Sequence, residues 1–111
     1  MELIELTPPE YDVDVELAYA TEKNFTTVPV YQQAICYLHA AAAEKLQDAI
    51  KAARAMGYKL QIFDAFRPSE AQWILWNHTP NPDFLADPRR GSPHSRGVAV
   101  DLTLLGADGA P

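Results

Sequence analysis

The chain has 111 residues, of which 48% are hydrophobic and 22% charged, and its formal net charge is −6. This length and composition are typical of one small globular domain. The acidic balance argues against nucleic-acid binding, which needs a basic surface. No apolar run approaches the roughly 18 residues that span a membrane, and the N-terminal residues lack the pattern of a signal peptide. We therefore expect a cytoplasmic protein with no nucleic-acid and no membrane partner.

The first half of the chain is predicted to form a strand, a loop and a long helix. Apolar residues alternate with polar or small ones over 13–19, which predicts a strand with one buried face. Residues 20–31 are polar and rich in turn formers, and are predicted to form a loop. From Ala34 to Met56 the apolar positions recur at spacings of three and four, which predicts an amphipathic helix. Gly57 follows the last of them and suits a C-terminal cap.

The second half alternates strands with a short helix and a long loop. Residues 58–62 alternate in polarity and predict a strand. Pro68 can start a helix, which we expect over 69–78. The proline- and glycine-rich stretch 79–96 predicts a loop, and loops of this length are usually functional or disordered. A last strand is predicted over 98–105, with one face formed by Val98, Val100, Leu102 and Leu104.

The stretch 92–101 carries the clearest chemistry. It places the imidazole of His94 and the carboxylate of Asp101 seven positions apart. Asp101 is predicted to face away from the apolar side of its strand, and Gly97 permits a sharp approach of the backbone that could return His94 to it. Imidazole and carboxylate together suit a divalent metal, most often zinc. The alternative is a solvent-exposed loop histidine beside an aspartate at a strand edge, and the spacing alone leaves both open.

Arg67 and Ser92 are two further candidate site residues. Arg67 follows a strand and is restricted by Pro68, and its rigid fork can hold a carboxylate or a developing oxyanion. The alternative for this arginine is a structural salt bridge to Asp64 or Glu70. Ser92, which lies in the same loop as the candidate histidine, could donate a hydrogen bond to a ligand or a substrate.

Other chemically capable residues have structural interpretations. Cys36 is the only cysteine, so no internal disulfide can form, and its apolar neighbours favour a buried structural thiol over a catalytic one. His39 and His78 lie on predicted helices and are expected to be structural or surface residues. Trp73 and Trp76 are expected to belong to the core or to cover a loop.

The fixed residues of the loop and last strand match a known signature. The pattern Ser92-x-His94-x-x-Gly97-x-Ala99-x-Asp101 resembles the metal-binding signature of the zinc D-Ala-D-Ala peptidases, which include VanX-type dipeptidases and VanY-type carboxypeptidases. Several earlier segments are similar to the N-terminal part of D-alanyl-D-alanine dipeptidases: Tyr19-Ala20-Thr21, Asn24-Phe25, Val30-Tyr31, Cys36-Tyr37-Leu38 and Asp64-Ala65-Phe66-Arg67-Pro68. The resemblance covers nearly all of the chain, and its motifs occur in order.

The resemblance implies a fold, an activity and roles for particular residues. The fold would be α+β, with helices packed against a small antiparallel sheet that carries the metal site. His94 and Asp101 would be zinc ligands, Arg67 would stabilise the tetrahedral transition state, and Ser92 would help to hold the substrate. One Zn²⁺ would serve each complete site by polarising the peptide carbonyl and activating a water. The substrate would be a small dipeptide, D-alanyl-D-alanine.

The chain departs from this family in one respect. The family completes its site with a later Glu-x-x-His segment, which supplies the general base and the third zinc ligand, and no such pair occurs in this sequence. Turn formers in 106–111 usually open a hairpin, and the return strand is absent. We therefore expect residues 1–111 to be a single but incomplete domain, the N-terminal portion of a longer dipeptidase. The alternatives are a D,D-carboxypeptidase of peptidoglycan stems and a degenerate, inactive metal-binding fragment.

Overall fold

Two helices and five short strands make up the regular structure of the described residues. The computed structural model describes residues 2–31, 35–106 and 108–109. In chain order the elements are β1 (Leu3–Glu5), β2 (Val13–Val15), β3 (Tyr37–His39), α1 (Ala40–Ala55), β4 (Lys59–Asp64), α2 (Ser69–His78) and β5 (Asp101–Leu105). Short 3-10 turns occupy Ala18–Ala20 and Pro88–Arg90. Within these residues, no helix is both long enough and apolar enough to cross a membrane.

The main sheet is mixed, with the strand order β2–β4–β5. β5 runs antiparallel to β4, whereas β2 runs parallel to it. β1 and β3 form a separate antiparallel pair. The predicted α+β class is consistent with these elements, but the expectation of an antiparallel sheet is wrong for β2. The reason is topological: α1 lies between β2 and β4 in the chain, and such a crossover lets the second strand run in the same direction as the first.

The long helix begins later than its periodicity predicts. α1 starts at Ala40 instead of Ala34, because the preceding residues pair with β1 as strand β3. His39 then caps the helix, since its ring nitrogen accepts a hydrogen bond from the backbone N–H of Ala41. Leu38, whose spacing also fits a helix, is buried as a strand residue. Ala34 itself lies outside the described residues.

The end of α1 and the whole of α2 follow their sequence signals. Gly57 lies just past α1 with a φ of 83°, the left-handed conformation that glycine adopts readily. α2 spans Ser69–His78, as predicted. Its buried residues are Ala71, Gln72 and Leu75. Trp73 therefore faces solvent and is not part of the core, the first of the two roles predicted for the tryptophans, whereas Trp76 is half-buried.

The first and last predicted strands are shorter in the structure. β2 ends at Val15, and the chain then enters the 3-10 turn at Ala18–Ala20. β5 begins at Asp101 instead of Val98. Leu102 and Leu104, which belong to the predicted apolar face, are 39% and 41% exposed. Their partners in β4, Ile62 and Leu60, belong to the hydrophobic cluster that packs against α1. Leu102 and Leu104 themselves lie on the edge strand and are not members of that cluster.

One hydrophobic cluster joins α1 to the sheet. The helix contributes residues at spacings of three and four, and the strands contribute alternate residues. Its buried members are Leu6, Tyr11, Val13, Leu17, Cys36, Leu38, Ala43, Leu46, Ile50, Ala53, Leu60, Ile62 and Ala65. The cluster fixes β4 from one side, so the residues that follow this strand start from a rigid support.

A β-bulge interrupts the pairing of β4 with β5. Ile62 is opposite Leu102, but the next pair is Asp64 with Asp101, so Phe63 has no partner residue. Without the bulge, alternation would place the two aspartates on opposite faces of the sheet. The extra residue brings both carboxylates to the same end of the strand pair, an effect typical of bulges beside functional sites.

Candidate metal centre

The structure brings together the two residues that the sequence predicts as metal ligands. His94 lies in the turn before β5, and Asp101 is the first residue of that strand. The His94 Nε2 atom and the Asp101 Oδ1 atom are 3.4 Å apart. Two ligand atoms that bind one tetrahedral zinc at about 2.0–2.1 Å are themselves about 3.3 Å apart. The pair therefore has the separation that a shared zinc ion requires.

Backbone hydrogen bonds fold the histidine loop back toward the strand. The N–H of Gly97 donates to the carbonyl of His94 at 3.1 Å, and the Gly97 carbonyl accepts from the N–H of His39 at 2.8 Å. Gly97 has a φ of 72°, and a Cβ atom there would lie 3.1 Å from the backbone nitrogen of His39. Glycine is required at this position both by its conformation and by the close approach of β3.

The neighbours of His94 set the orientation of its ring. Nδ1 lies 2.8 Å from the carbonyl oxygen of Ala65. Because a carbonyl can only accept, Nδ1 carries the proton, and the lone pair of Nε2 points toward Asp101. Zinc-binding histidines are commonly held in this way by a backbone carbonyl.

The electrostatics favour a positive charge between the two residues. Partial burial lowers the pKa of His94, but the hydrogen bonds to Asp101 and to the Ala65 carbonyl outweigh it and raise the pKa overall. The same contact with His94 lowers the pKa of Asp101. A proton is the simplest cation that can bridge such a pair, and a metal ion would replace it with the same sign of charge.

A third carboxylate, Asp64, lies close to the pair. Asp64, His94 and Asp101 offer ligand atoms that all lie within 4.8 Å of one another. However, Asp64 already accepts hydrogen bonds from Arg67 and from the hydroxyl of Tyr31. It is 3.8 Å from the His94 Nδ1 atom, whose proton is directed elsewhere. We therefore interpret Asp64 as an anchor for the arginine, which leaves two uncommitted protein ligands among the described residues.

Arg67 is held beside this centre by three contacts. Its Nε and Nη2 atoms donate to Asp64 at 3.1 and 2.7 Å, its Nη1 atom donates to Gln72 at 2.7 Å, and its guanidinium lies 5.0 Å from the ring centre of Tyr19. Its backbone N–H donates to the His94 carbonyl at 2.9 Å, which ties the two loops together. The salt bridge to Asp64, which the sequence offered as the structural alternative for this arginine, is thus present.

Arg67 keeps its positive charge and has N–H groups beyond those bonded to Asp64 and Gln72. Burial opposes the charge, but the Asp64 carboxylate outweighs it and raises the pKa of Arg67, so the guanidinium stays protonated. Three of its five N–H groups donate to Asp64 or Gln72, which leaves one on each Nη atom, with the Tyr31 hydroxyl close to the guanidinium. These two groups could receive an oxyanion.

Ser92 is buried next to the candidate ligand. Its hydroxyl oxygen accepts a hydrogen bond from the backbone N–H of His94 at 3.2 Å, which shapes the turn. The other candidates from the sequence lie away from the centre: His39 caps α1, and His78 pairs with Thr79 and packs against Phe25. Burial raises the pKa of the Cys36 thiol to about 12, as a structural cysteine requires.

Sequence reasoning missed the residues that hold the arginine. Tyr31, Gln72 and the ring of Tyr19 were not singled out as site residues, although Tyr19 and Tyr31 occur in the segments that carry the family resemblance. The buried Gln72 could have been suspected from its place on α2, where it follows Ala71 on the side that also carries Leu75. Nothing local in the sequence marks Tyr31, which contacts Asp64 across 33 positions.

Comparisons with known proteins identify relatives of this chain. A family model described as D-ala-D-ala dipeptidase matches residues 1–110. The chain is 45% identical over 103 residues to the D-alanyl-D-alanine dipeptidase of Escherichia coli (strain K12), with 93% of this chain and 53% of the relative covered. It is 34% identical over 110 residues to the D-alanyl-D-alanine dipeptidase of Enterococcus faecium, with 81% of this chain and 54% of the relative covered.

The chain thus spans about half the length of the curated relatives that it matches. The matched half includes the whole His94–Asp101 stretch and the Arg67 segment. The resemblance inferred from separate motifs and the match over nearly the full chain lead to the same conclusion. The chain belongs to the D-ala-D-ala dipeptidase family.

Proposed function

We propose that this chain supplies the zinc-binding half-site and the transition-state arginine of a dipeptidase that hydrolyses D-alanyl-D-alanine. The observation that carries the proposal is the 3.4 Å separation of His94 Nε2 from Asp101 Oδ1, with Arg67 fixed beside them. Zinc, when bound, would polarise the peptide carbonyl and lower the pKa of a water molecule. A cytoplasmic location is part of the proposal, and the single buried thiol of Cys36 fits a reducing compartment.

Each residue has a defined task in this proposal. His94 and Asp101 hold the metal, and the Ala65 carbonyl keeps the imidazole in the tautomer that presents Nε2. The two remaining N–H groups of Arg67 donate to the oxygen that becomes negative when the peptide carbon turns tetrahedral. Ser92 holds the turn that carries the histidine, and in this proposal it also helps to hold the substrate, as the family resemblance implies.

The metal half of the proposal is tested by zinc titration of the purified chain against a chromophoric chelator. We expect His94→Ala and Asp101→Asn each to lower the zinc affinity by more than about tenfold, since even changes outside the ligand shell commonly cost that much. His78→Ala is the matched control, because this histidine lies at the end of α2 and away from the centre. Wild-type affinity in His94→Ala would rule out the metal role.

The catalytic half is tested by following dipeptide hydrolysis, with the E. coli relative assayed in parallel. We expect the 111-residue chain alone to turn over little or no D-alanyl-D-alanine, because a catalytic zinc usually has three protein ligands and the centre offers two. A longer chain that also contains the half of the E. coli relative that this chain does not cover should be active. It should lose that activity with Arg67→Ala. A higher rate on a longer stem peptide would indicate the D,D-carboxypeptidase alternative.

A non-catalytic role has one observation in its favour, the commitment of Asp64 to Arg67 and Tyr31. With two free ligands the described residues would hold a metal weakly. Weak zinc binding together with no hydrolysis by the extended chain would support this second candidate function, whereas tight, stoichiometric zinc binding would count against it.

A further inference from the structure

Gln72 is a fully buried polar residue that the proposed mechanism does not use. It lies on the inner face of α2 and is 1% exposed. Its Oε1 atom accepts a hydrogen bond from Nη1 of Arg67 at 2.7 Å, and its Nε2 atom donates to the carbonyl of Ala86 at 2.7 Å. Because an arginine only donates and a carbonyl only accepts, both partners require the same orientation of the amide.

The geometry of the arginine explains what this glutamine adds. Both hydrogen bonds from Arg67 to Asp64 end on a single oxygen, Oδ2. A planar group bonded to one atom can still pivot within its own plane. The ring of Tyr19, 5.0 Å from the guanidinium carbon, limits tilting out of that plane but leaves rotation within it. The bond from Nη1 to Gln72 supplies the second fixed point that stops the pivot.

We propose that Gln72 is a positioning residue that fixes the in-plane orientation of the Arg67 guanidinium. This inference rests on the proposed function, since the orientation decides where the two remaining N–H groups point. The second bond of Gln72 connects the arginine to the 79–91 loop through the Ala86 carbonyl. The loop therefore holds Gln72, and Gln72 holds the arginine.

Two substitutions separate the two hydrogen bonds of Gln72. Gln72→Met keeps the length of the side chain and removes both bonds. Gln72→Glu keeps an acceptor for Arg67 but cannot donate to the Ala86 carbonyl. The matched control is Gln47→Met, because the amide of Gln47 also donates to a backbone carbonyl, that of Glu10 at 2.8 Å, and the site lies elsewhere.

The measurement is the side-chain NMR spectrum of Arg67 in the 111-residue chain, recorded beside the backbone amide spectrum. We expect the Nη groups of Arg67 to give resolved, slowly exchanging signals in the wild type. In Gln72→Met their exchange should accelerate by about tenfold or more, as the loss of a charge-assisted hydrogen bond implies. Gln47→Met should leave these signals unchanged, and Gln72→Glu should keep them resolved while the amide protection of Leu85 in the loop falls.

Each outcome bears on the proposal. Wild-type exchange in a folded Gln72→Met chain would show that Gln72 only fills space and would overturn it. Should Gln72→Met not fold, Gln72→Glu decides: resolved signals support the positioning role, and averaged signals overturn it. The spectrum reports on the arginine itself and not on turnover, so a negative result is distinguishable from failure of the dipeptidase proposal.

Discussion

A single buried carboxylate organises the arginine side of the centre. Asp64 accepts two hydrogen bonds from Arg67 and one from Tyr31, and both members of the ion pair are almost inaccessible to solvent. Burial raises the pKa of Tyr31, so its hydroxyl keeps the proton that it donates. The aspartate thus receives three of the roughly four hydrogen bonds that a carboxylate can accept, and the charge of the arginine is matched in surroundings that are largely shielded from solvent.

Loss of the Asp64 charge should destabilise the chain strongly. Asp64→Asn keeps the size of the side chain but leaves a buried guanidinium without a counter-ion, and the free energy of unfolding should fall by about 3 kcal/mol or more. Urea unfolding followed by circular dichroism measures this. The control is Asp12→Asn, which breaks a 2.7 Å pair with Arg54 on the surface and should leave the midpoint nearly unchanged. Equal effects of the two substitutions would contradict the buried pair.

The residues proposed to do chemistry can be singled out from the sequence, and those that hold them cannot. His94, Asp101 and Arg67 stand out because a metal ligand or an oxyanion donor needs a particular residue type in a constrained segment. An acceptor for a buried arginine can be any oxygen that the fold brings within reach. Gln72 and Tyr31 are supplied from different elements, so only the three-dimensional structure identifies them.

At the scale of elements, the histidine turn depends on the strand β3 behind it. The Gly97 carbonyl accepts from the N–H of His39, and the Leu3 side chain of β1 would lie 3.3 Å from a Cβ atom at position 97. The turn therefore rests directly on the β1–β3 pair. A change that separates them moves His94 without altering any candidate ligand.

Two glycines with similar positive φ values test this dependence. Gly97 and Gly57 have φ values of 72° and 83°, but a Cβ atom meets nothing within 4 Å at Gly57 and meets the His39 nitrogen at 3.1 Å at Gly97. Both alanine variants should lose about 1 kcal/mol for the left-handed conformation. Gly97→Ala should lose clearly more and should also bind zinc more weakly. Urea midpoints and zinc titrations measure both effects, and equal losses would show that the close approach does not matter.

The elements differ in how well their boundaries could be predicted. α2 and the end of α1 have local signals, a proline before the first turn and a glycine after the last, and these predictions are confirmed. The start of α1 has no such signal. Leu38 fits a helical spacing, and the alanines after it favour a helix. However, Tyr37–His39 pair with β1 and therefore form a strand. A pairing partner far away in the chain outweighs local propensity there.

At the scale of the whole molecule, the core covers only part of the sheet. Leu60 and Leu104 are opposite each other in neighbouring strands and share one face. Leu60 is 4% exposed and belongs to the cluster under α1, whereas Leu104 is 41% exposed. The alternation in β5 places Leu102 and Leu104 on one face, the face of Ile62 and Leu60. It could not predict whether a second layer would cover that face, because coverage depends on where other elements pack.

Truncating this opposed pair measures how far the core extends. Leu60→Ala should lower the free energy of unfolding by about 3 kcal/mol, in the range of buried leucines. Leu104→Ala should cost about 1 kcal/mol, since much of its surface is already in water. Urea unfolding of the two variants at several protein concentrations gives both values. Equal costs would mean that another polypeptide covers β5 in solution.

The bulge at Phe63 determines which kinds of sequence change the centre can accept. A substitution at this position alters one side chain. Removal of the residue would shift the alternation of everything beside it and turn Asp64 toward the other face of the sheet. Arg67 would then lose its counter-ion although neither charged residue had changed. The length of β4 is therefore as much a part of the site as the identity of its residues, and insertions or deletions there endanger it more than point substitutions do.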